Sequence, residues 1–386
     1  MFVRKNNNLM ENFVMYNPVK VHFGLGVLKN LPASLEKYGK KVLFVYGKSS
    51  IKRTGLYDVI LDLLDGFEIV EYNGIKPNPL VDDADAAAEL GRREKVDVVL
   101  AVGGGSVIDS AKMISMGIKA DHGIWEFMSG SKKPKSSVPL IAVLTLAATG
   151  TEMNMFAVLQ NKETNEKFGY GSPFIYPKES FLDPGLTYSV PADYTAYGMV
   201  DLIAHVLEAY FGAGNASLSD KIVFSIIKET IEYANDLLDN PTDYELRARM
   251  MYAATLALNG LTSNGRKYGD WGVHALGHSL SVLFDTAHGA SLSLVYPAWM
   301  RLFEKPLKAR LELLGKEVFG VQSSTECIVN MESFFQSIGS PVRFEQAEIN
   351  ENMQEQLLEY YQNHRPNGRG MQLQKEDYKK LIGYMR

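Results

Sequence analysis

The run Val96-Asp97-Val98-Val99-Leu100-Ala101-Val102 passes straight into Gly103-Gly104-Gly105-Ser106 and then into a helical stretch reaching about Met116. Few folds accommodate that order. A buried strand that ends in three glycines and opens a helix lets the main chain approach a ligand closely. The first helical N–H groups and the helix dipole then face negative charge, which marks an anion site. Ser106 is placed to cap the helix and to offer its hydroxyl to a phosphate. The G-x-G-x-x-G dinucleotide pattern is incomplete, because Ile108 stands where its third glycine would fall.

The same alternation of strand and helix runs through the first half of the chain. Lys41-Val42-Leu43-Phe44-Val45-Tyr46 reads as a buried strand, followed by Gly47-Lys48-Ser49-Ser50 and a helix from Leu56 to Leu64. Phe67 to Tyr72 is a second strand, alanine-rich Val81 to Glu94 a helix, and Leu140 to Thr145 a further strand ending in Ala148-Thr149-Gly150-Thr151-Glu152. Short β-rich runs separated by helices predict a parallel sheet covered on both faces, an α/β dinucleotide-binding domain of Rossmann-like type. After Leu182-Asp183-Pro184-Gly185 the pattern changes. Helical periodicity dominates over Asp193–Phe211, Asp220–Leu238, Tyr244–Asn259 and His274–Leu283. At 386 residues two domains are expected. The reading places an α/β domain at 1–186 and an all-helical, metal-binding and substrate domain at 187–386, with the boundary near Leu186.

Ligands bind outside the carboxyl ends of parallel strands. Gly47–Ser50, Lys76-Pro77-Asn78-Pro79, Gly103–Ser106 and Thr145–Thr151 each follow a predicted strand, so all four should lie on that edge. The first of them bears on the cofactor. In NAD sites an acidic side chain after an early strand usually holds the ribose 2′-hydroxyl. Here the positions are Gly47, Lys48, Ser49 and Ser50, with Lys52 and Arg53 close behind. Cations and hydroxyls suit a 2′-phosphate, so NADP(H) is expected over NAD(H).

Asp201 and His205 stand four apart, on one face of a predicted helix. Four of the seven histidines fall between positions 205 and 288. With no second thiol beside Cys327, a metal site here must use nitrogen and oxygen. Imidazoles with one carboxylate suit zinc or ferrous iron. His274 and His278 are also four apart, so spacing alone leaves two ligand sets open, His274 with His278 or His274 with His288.

The remaining composition narrows the partners. A net charge of −5 gives no reason to expect nucleic acid or an anionic membrane surface. The apolar stretch Val138 to Ala148 is too short to span a bilayer and contains Pro139. Met1 to Leu9 lacks an apolar h-region, so no secretory signal is expected, and Met10 offers an alternative start. A single cysteine excludes an intrachain disulfide and fits a cytoplasmic protein.

Taken together, these residues resemble the iron-dependent (group III) alcohol dehydrogenase family. The resemblance runs from about Val14 to the last helices. It rests on Phe23-Gly24-Leu25-Gly26, Lys41–Gly47, Pro77-Asn78-Pro79, Gly103–Asp109, Thr145–Glu152, Leu182-Asp183-Pro184, Asp201-x-x-x-His205 and His274-Ala275-Leu276-Gly277-His278…His288-Gly289. Asp270-Trp271 fits the branch of butanol dehydrogenase-like, NADPH-dependent aldehyde reductases.

The resemblance implies that Asp201, His205, His274 and His288 hold one divalent metal, Fe2+ or Zn2+. It implies that His278 is the non-ligand active-site histidine, near nicotinamide and substrate; because an unperturbed imidazole titrates near neutrality, His278 is also a candidate proton relay. It makes Asn78, Gly103, Gly104, Gly105, Ser106, Asp109, Thr145, Leu146, Thr149 and Lys167 cofactor contacts beside Gly47–Ser50. Lys167 follows Asn161-Lys162-Glu163-Thr164, the family's short hairpin. The implied reaction is hydride transfer between a nicotinamide lying on the sheet domain and an aldehyde or primary alcohol held by the metal of the helical domain. Phe156, Trp271 and Phe284 are expected to give the substrate apolar walls. A homodimer is expected. Glycerol dehydrogenase-type polyol oxidation and dehydroquinate synthase-type lyase chemistry are the alternatives. A lyase of that kind should carry a basic cluster for a substrate phosphate, and near the cage the sequence offers only Arg266-Lys267.

Overall fold

A computed structural model describes residues 10–386; the expectations concerning Met1 to Leu9 lie outside the described residues. The chain opens with β1 (Lys20–Phe23), α1 (Leu31–Glu36), β2 (Lys41–Gly47), α2 (Ser50–Arg53), α3 (Leu56–Leu63), β3 (Glu68–Ile75) and α4 (Val81–Arg93). It continues through β4 (Val98–Gly103), α5 (Gly105–Gly117), α6 (Ile124–Met128), β5 (Leu140–Leu144), β6 (Phe156–Asn161), β7 (Glu166–Gly171) and β8 (Glu179–Leu182). Long helices follow: α7 (Ala192–Tyr210), α8 (Ser217–Asp239), α9 (Tyr244–Ala257), α10 (Gly272–Phe284) and α11 (His288–Leu302). The last are α12 (Glu304–Leu314), α13 (Ser324–Ser337), α14 (Glu351–His364) and α15 (Lys375–Tyr384).

Six strands form one sheet in the order β1-β8-β5-β4-β2-β3, with every neighbouring pair parallel. Successive strand side chains point to opposite faces, and both faces are buried. Val42, Phe44, Tyr46, Val98, Leu100 and Val102 join Leu31, Leu35 and Ile60 in one apolar cluster. Leu43, Val45, Val99 and Ala101 join Ala84, Ala87, Ala111 and Ile114 in the other. From β2 the chain winds outward to β3 and then returns to β4 on the other side of β2. The strand order therefore reverses between β2 and β4. A crevice opens at the carboxyl ends at such a point, where α/β folds bind ligands.

Two strands of the sheet carry little sequence signal. β1 and β8 are four residues each and include Lys20, His22 and Glu179. The buried Glu179 carboxylate accepts hydrogen bonds from His22 Nε2 at 2.7 Å, Ser34 Oγ at 2.7 Å and Lys37 Nζ at 2.5 Å. Burial alone would push its pKa up, but these donors outweigh burial and hold it down at about 2. β6 and β7 form a separate antiparallel hairpin.

The described chain divides into two compact units that are not contiguous in sequence. The sheet unit comprises Asn17–Pro191 and Asn240–Thr255; the helical unit comprises Ala192–Asp239 and Leu256–Arg386 with the described part of Met1–Tyr16. A single break near Leu186 misses this return of α9 to the sheet unit. Met251 of α9 enters that unit's apolar core, and Thr255 Oγ1 donates to the buried Glu152 Oε1 at 2.6 Å. Periodicity identifies α9 as a helix but carries no information about which core it joins. Among the described residues, no helix is long and apolar enough to cross a membrane.

Candidate metal centre and phosphate loop

α7 is buried along most of its length. Its one-turn spacing sets Asp201 and His205 on the same face. α10 supplies His274 and α11 opens with His288. Ligand atoms of Asp201, His205 and His274 lie within 4.8 Å of one another. Around Asp201 Oδ1 stand His205 Nδ1 at 3.5 Å, His288 Nε2 at 3.5 Å and His274 Nε2 at 3.8 Å. Bonds of about 2.0–2.1 Å to a tetrahedral ion place its ligand atoms about 3.3 Å apart, so the set is nearly at coordination spacing.

Asp201 Oδ1, His205 Nδ1 and His274 Nε2 are buried and make no hydrogen bond. Buried polar atoms without partners are costly, and a cation at their centre would satisfy all three. The electrostatics agree. Burial opposes the charge of Asp201, but the surrounding imidazoles pull its pKa well below the ordinary carboxylate value. Burial lowers His205 to about 4, against the pull of Asp201, which keeps its ring neutral and able to ligate. His274 is raised to about 9, because the carboxylates of Asp201 and Glu208 on either side of its ring outweigh its burial. An ion bound there supplies the positive charge in place of that proton.

His278 stands beside the cage. Its ring lies 5.5 Å from that of His288 and 6.4 Å from that of His274. Of the two pairings left open by spacing, it is His288 whose Nε2 stands 3.5 Å from Asp201. Of the three expected pocket walls, Trp271 has its ring 5.3 Å from that of His274 and 6.2 Å from that of His205. Phe156 belongs to β6 of the sheet unit, and Phe284 ends α10.

Sequence reasoning passed over Glu208. It follows His205 by three residues on α7 and is 1% exposed. Glu208 Oε1 accepts from His274 Nδ1 at 2.9 Å and from the His274 amide at 3.0 Å, and Oε2 accepts from the Trp271 amide. A carboxylate on the far ring nitrogen fixes the tautomer and turns Nε2 toward the cage. The available signal was the i+3 spacing on a helix already carrying two candidate ligands. Glu208→Gln should weaken metal affinity by about 10–100-fold, the usual effect of losing such a partner. Chelator competition measures this; an unchanged affinity would show that His274 orients itself.

In the sheet unit the loops expected at the carboxyl edge are interlocked. Gly104, not Ser106, is the N-cap of α5, and the Ser106 hydroxyl donates to the Pro77 carbonyl. Lys167 Nζ donates to Asn78 Oδ1 at 2.8 Å, and the Gln160 amide to the Pro79 carbonyl at 2.8 Å, so the hairpin clamps the Lys76–Pro79 turn. The Thr145 amide bonds the Gly103 carbonyl at 3.0 Å. A Cβ on Gly105 would lie 2.8 Å from Thr149 Oγ1, and one on Gly104 would lie 3.2 Å from Leu146 Cβ. Asp109, expected as a cofactor contact, also has a structural part. It is buried, Oδ1 accepting from Thr151 Oγ1 at 2.5 Å and Oδ2 from the Val158 amide at 2.9 Å, which ties α5 to the next loop and to the hairpin. In the Gly47–Ser50 turn, Ser49 Oγ accepts from Arg53 at 2.9 Å, and Lys52 Nζ lies 4.4 Å from the Tyr57 ring.

Residues 18–184 match the family model described as iron-containing alcohol dehydrogenase. Residues 195–382 match the model of the C-terminal part of the Fe-containing alcohol dehydrogenase family. A probable NADH-dependent butanol dehydrogenase of Bacillus subtilis is 39% identical, the match covering 97% of this chain and 99% of that protein. The NADPH-dependent aldehyde reductase YqhD of Escherichia coli is 35% identical over 86% of this chain and 88% of its own. The crystal structure of an NADH-dependent butanol dehydrogenase A from Thermotoga maritima superposes with a TM-score of 0.94 at 38% identity, covering 98% of this chain and 99% of the other.

Proposed function

The chain belongs to the iron-containing alcohol dehydrogenase family, and from that premise we propose that it reduces aliphatic or aromatic aldehydes to primary alcohols with NADPH. Alcohol dehydrogenase or aldehyde reductase activity follows from the relatives; the choice of NADP(H), the ligand set and the substrate are the proposal. The observation that carries it is the buried cage of Asp201, His205 and His274, with His288 at 3.5 Å from Asp201. Bound there, a divalent cation supplies Lewis acidity at a carbonyl oxygen, and a bound nicotinamide supplies the hydride.

The chain's own residues do the rest. Asp201 contributes the one negative charge of the ligand set, and His205, His274 and His288 contribute neutral donors. Glu208 holds the His274 ring in its ligating tautomer. His278 carries the proton to the nascent alkoxide in this reading, a task suited to imidazole. Gly103, Gly104, Gly105 and Ser106 receive the pyrophosphate at the N-terminus of α5, and Asn78, Thr145, Leu146, Thr149 and Lys167 complete the nucleotide contacts. Fe2+ and Zn2+ both accept three imidazoles and a carboxylate. A cytoplasmic homodimer belongs to the same reading, in keeping with the single buried cysteine and the commonness of two-fold assemblies.

Related proteins are named for either cofactor, so the residues after β2 must decide. Lys48, Ser49, Ser50, Lys52 and Arg53 offer cations and hydroxyls and no carboxylate. Glu71 on the neighbouring strand is bound by the hydroxyls of Tyr46 at 2.6 Å and Tyr57 at 2.9 Å. A charge-assisted contact to the 2′-phosphate contributes about 1.5–3 kcal/mol, so kcat/KM should favour NADPH over NADH at least about tenfold. Steady-state assays with butanal measure it, and a preference for NADH would refute the assignment. The lyase alternative loses its main support. Of the Arg266-Lys267 pair, Arg266 is buried against Asp220 at 2.5 Å, which leaves Lys267 as the one residue of the pair to meet an anionic substrate.

A further inference from the structure

Asp270 is fully buried yet lies on no ligand and in no phosphate loop. Its Oδ1 accepts from the Gly272 amide at 3.1 Å, and its Oδ2 from the amides of Gly370 at 2.9 Å and Met371 at 2.7 Å. Its carbonyl accepts from the Arg369 amide at 2.7 Å, and its own amide donates to the Glu208 carbonyl at 2.9 Å. Gly272, Gly370 and Met371 thus spend three main-chain donors on one carboxylate, and two of them come from the segment joining α14 to α15. The approach is close enough to dictate sequence. A Cβ on Gly368 would lie 2.1 Å from Asp270 Oδ1, and one on Gly272 would lie 2.7 Å from it. The next residue, Trp271, is held at φ 66°, a left-handed conformation uncommon for a tryptophan, and its amide is bound by Glu208. Three residues further on is His274, gripped by the same Glu208.

We infer that Asp270 is a positioning residue of the metal centre, and that it makes the loop around Gly368–Met371 an outer wall of that centre. The chain of hydrogen bonds runs from the loop amides to Asp270, through the turn at Trp271, to Glu208 and so to the far nitrogen of His274. Outer carboxylates of this kind set metal affinity by fixing the ligand's orientation. Holding Trp271 in a strained turn requires restraint on both sides of it; Glu208 provides one and Asp270 with the loop provides the other. The inference rests on the proposed metal site and extends it to a part of the chain nearly a hundred residues away.

Asp270→Asn preserves shape but puts an amide N–H₂ against either the Gly272 donor or the pair from Gly370 and Met371. It should raise the Kd for Zn2+, read by chelator competition on the whole protein, at least about tenfold. In the wild-type protein, Zn2+ should slow amide exchange at Gly370 and Met371 at least about threefold relative to the stripped form, a coupling that a merely structural anchor would not give. Wild-type zinc affinity in a folded Asp270→Asn variant overturns the inference. If that variant does not fold, wild-type exchange at the two amides that ignores Zn2+ overturns it. Failure of the wild type to bind Zn2+ at all would instead remove the metal reading, and this inference with it.

Discussion

His274→Ala is expected to cost the protein its metal ion and at least about a thousandfold in kcat/KM, roughly 4 kcal/mol of transition-state stabilisation. His274 is more than one of the four proposed ligands. Its ring meets Asp201 on one side and Glu208 on the other, and its amide also binds Glu208. Alanine leaves Glu208 buried with one of its donors gone and Asp201 with one imidazole fewer. Both consequences disfavour a compact cage, since an uncompensated buried carboxylate costs several kcal/mol. NADPH binding should persist, because the proposed phosphate loop Gly103–Ser106 belongs to the other compact unit. Metal content after gel filtration, NADPH titration and the butanal assay report the three quantities. Retention of a full complement of ion by the variant would contradict the ligand assignment.

Gly289→Ala is expected to destabilise the protein by about 2–4 kcal/mol and to release the metal as well. Gly289 follows His288 in the first turn of α11, where that helix meets α7. An added Cβ would lie 2.1 Å from the Tyr197 carbonyl oxygen, 2.6 Å from its carbonyl carbon and 2.7 Å from its Cα. These are main-chain atoms of α7, so no rotamer change relieves the overlap. The helices must separate, and the adjacent His288 moves with α11, away from Asp201 and His205 on α7. Urea denaturation gives the loss of stability, and zinc titration of the folded variant gives the loss of affinity. An alanine variant with wild-type stability would mean that the two helices do not touch at this point.

Much of this arrangement was legible in residue order, and the reasons differ by element. The strands β2, β4 and β5 are buried on both faces, so they read as continuous apolar runs bounded by glycine or proline. β1 and β8 escaped because four residues carrying histidine and glutamate resemble a loop until Ser34, Lys37 and His22 close on Glu179. The helices α7 to α10 were predicted to within a few residues from periodicity, yet the return of α9 to the sheet unit was not, since it depends on which core receives Met251. Spacing alone paired Asp201 with His205. The choice between His278 and His288 needed the family resemblance, and the distances to Asp201 now favour His288. Glu208 was silent, and Asp270 entered only as part of a branch motif, because a buried carboxylate looks like any surface acid until its hydrogen-bond donors are known. Asp109 came from the family resemblance as a cofactor contact, and residue order gave no sign that its carboxylate also accepts from Thr151 and Val158.

The central claim is that an ion held by Asp201, His205, His274 and His288 is required for hydride transfer. Anaerobic removal of bound metal with a chelator, followed by stepwise return of Fe2+ or Zn2+, tests it with NADPH and butanal as the assay. The account predicts a rate below about 1% in the stripped protein and recovery in proportion to bound ion, complete at one per chain. A stripped protein that still turns over at the full rate would contradict it.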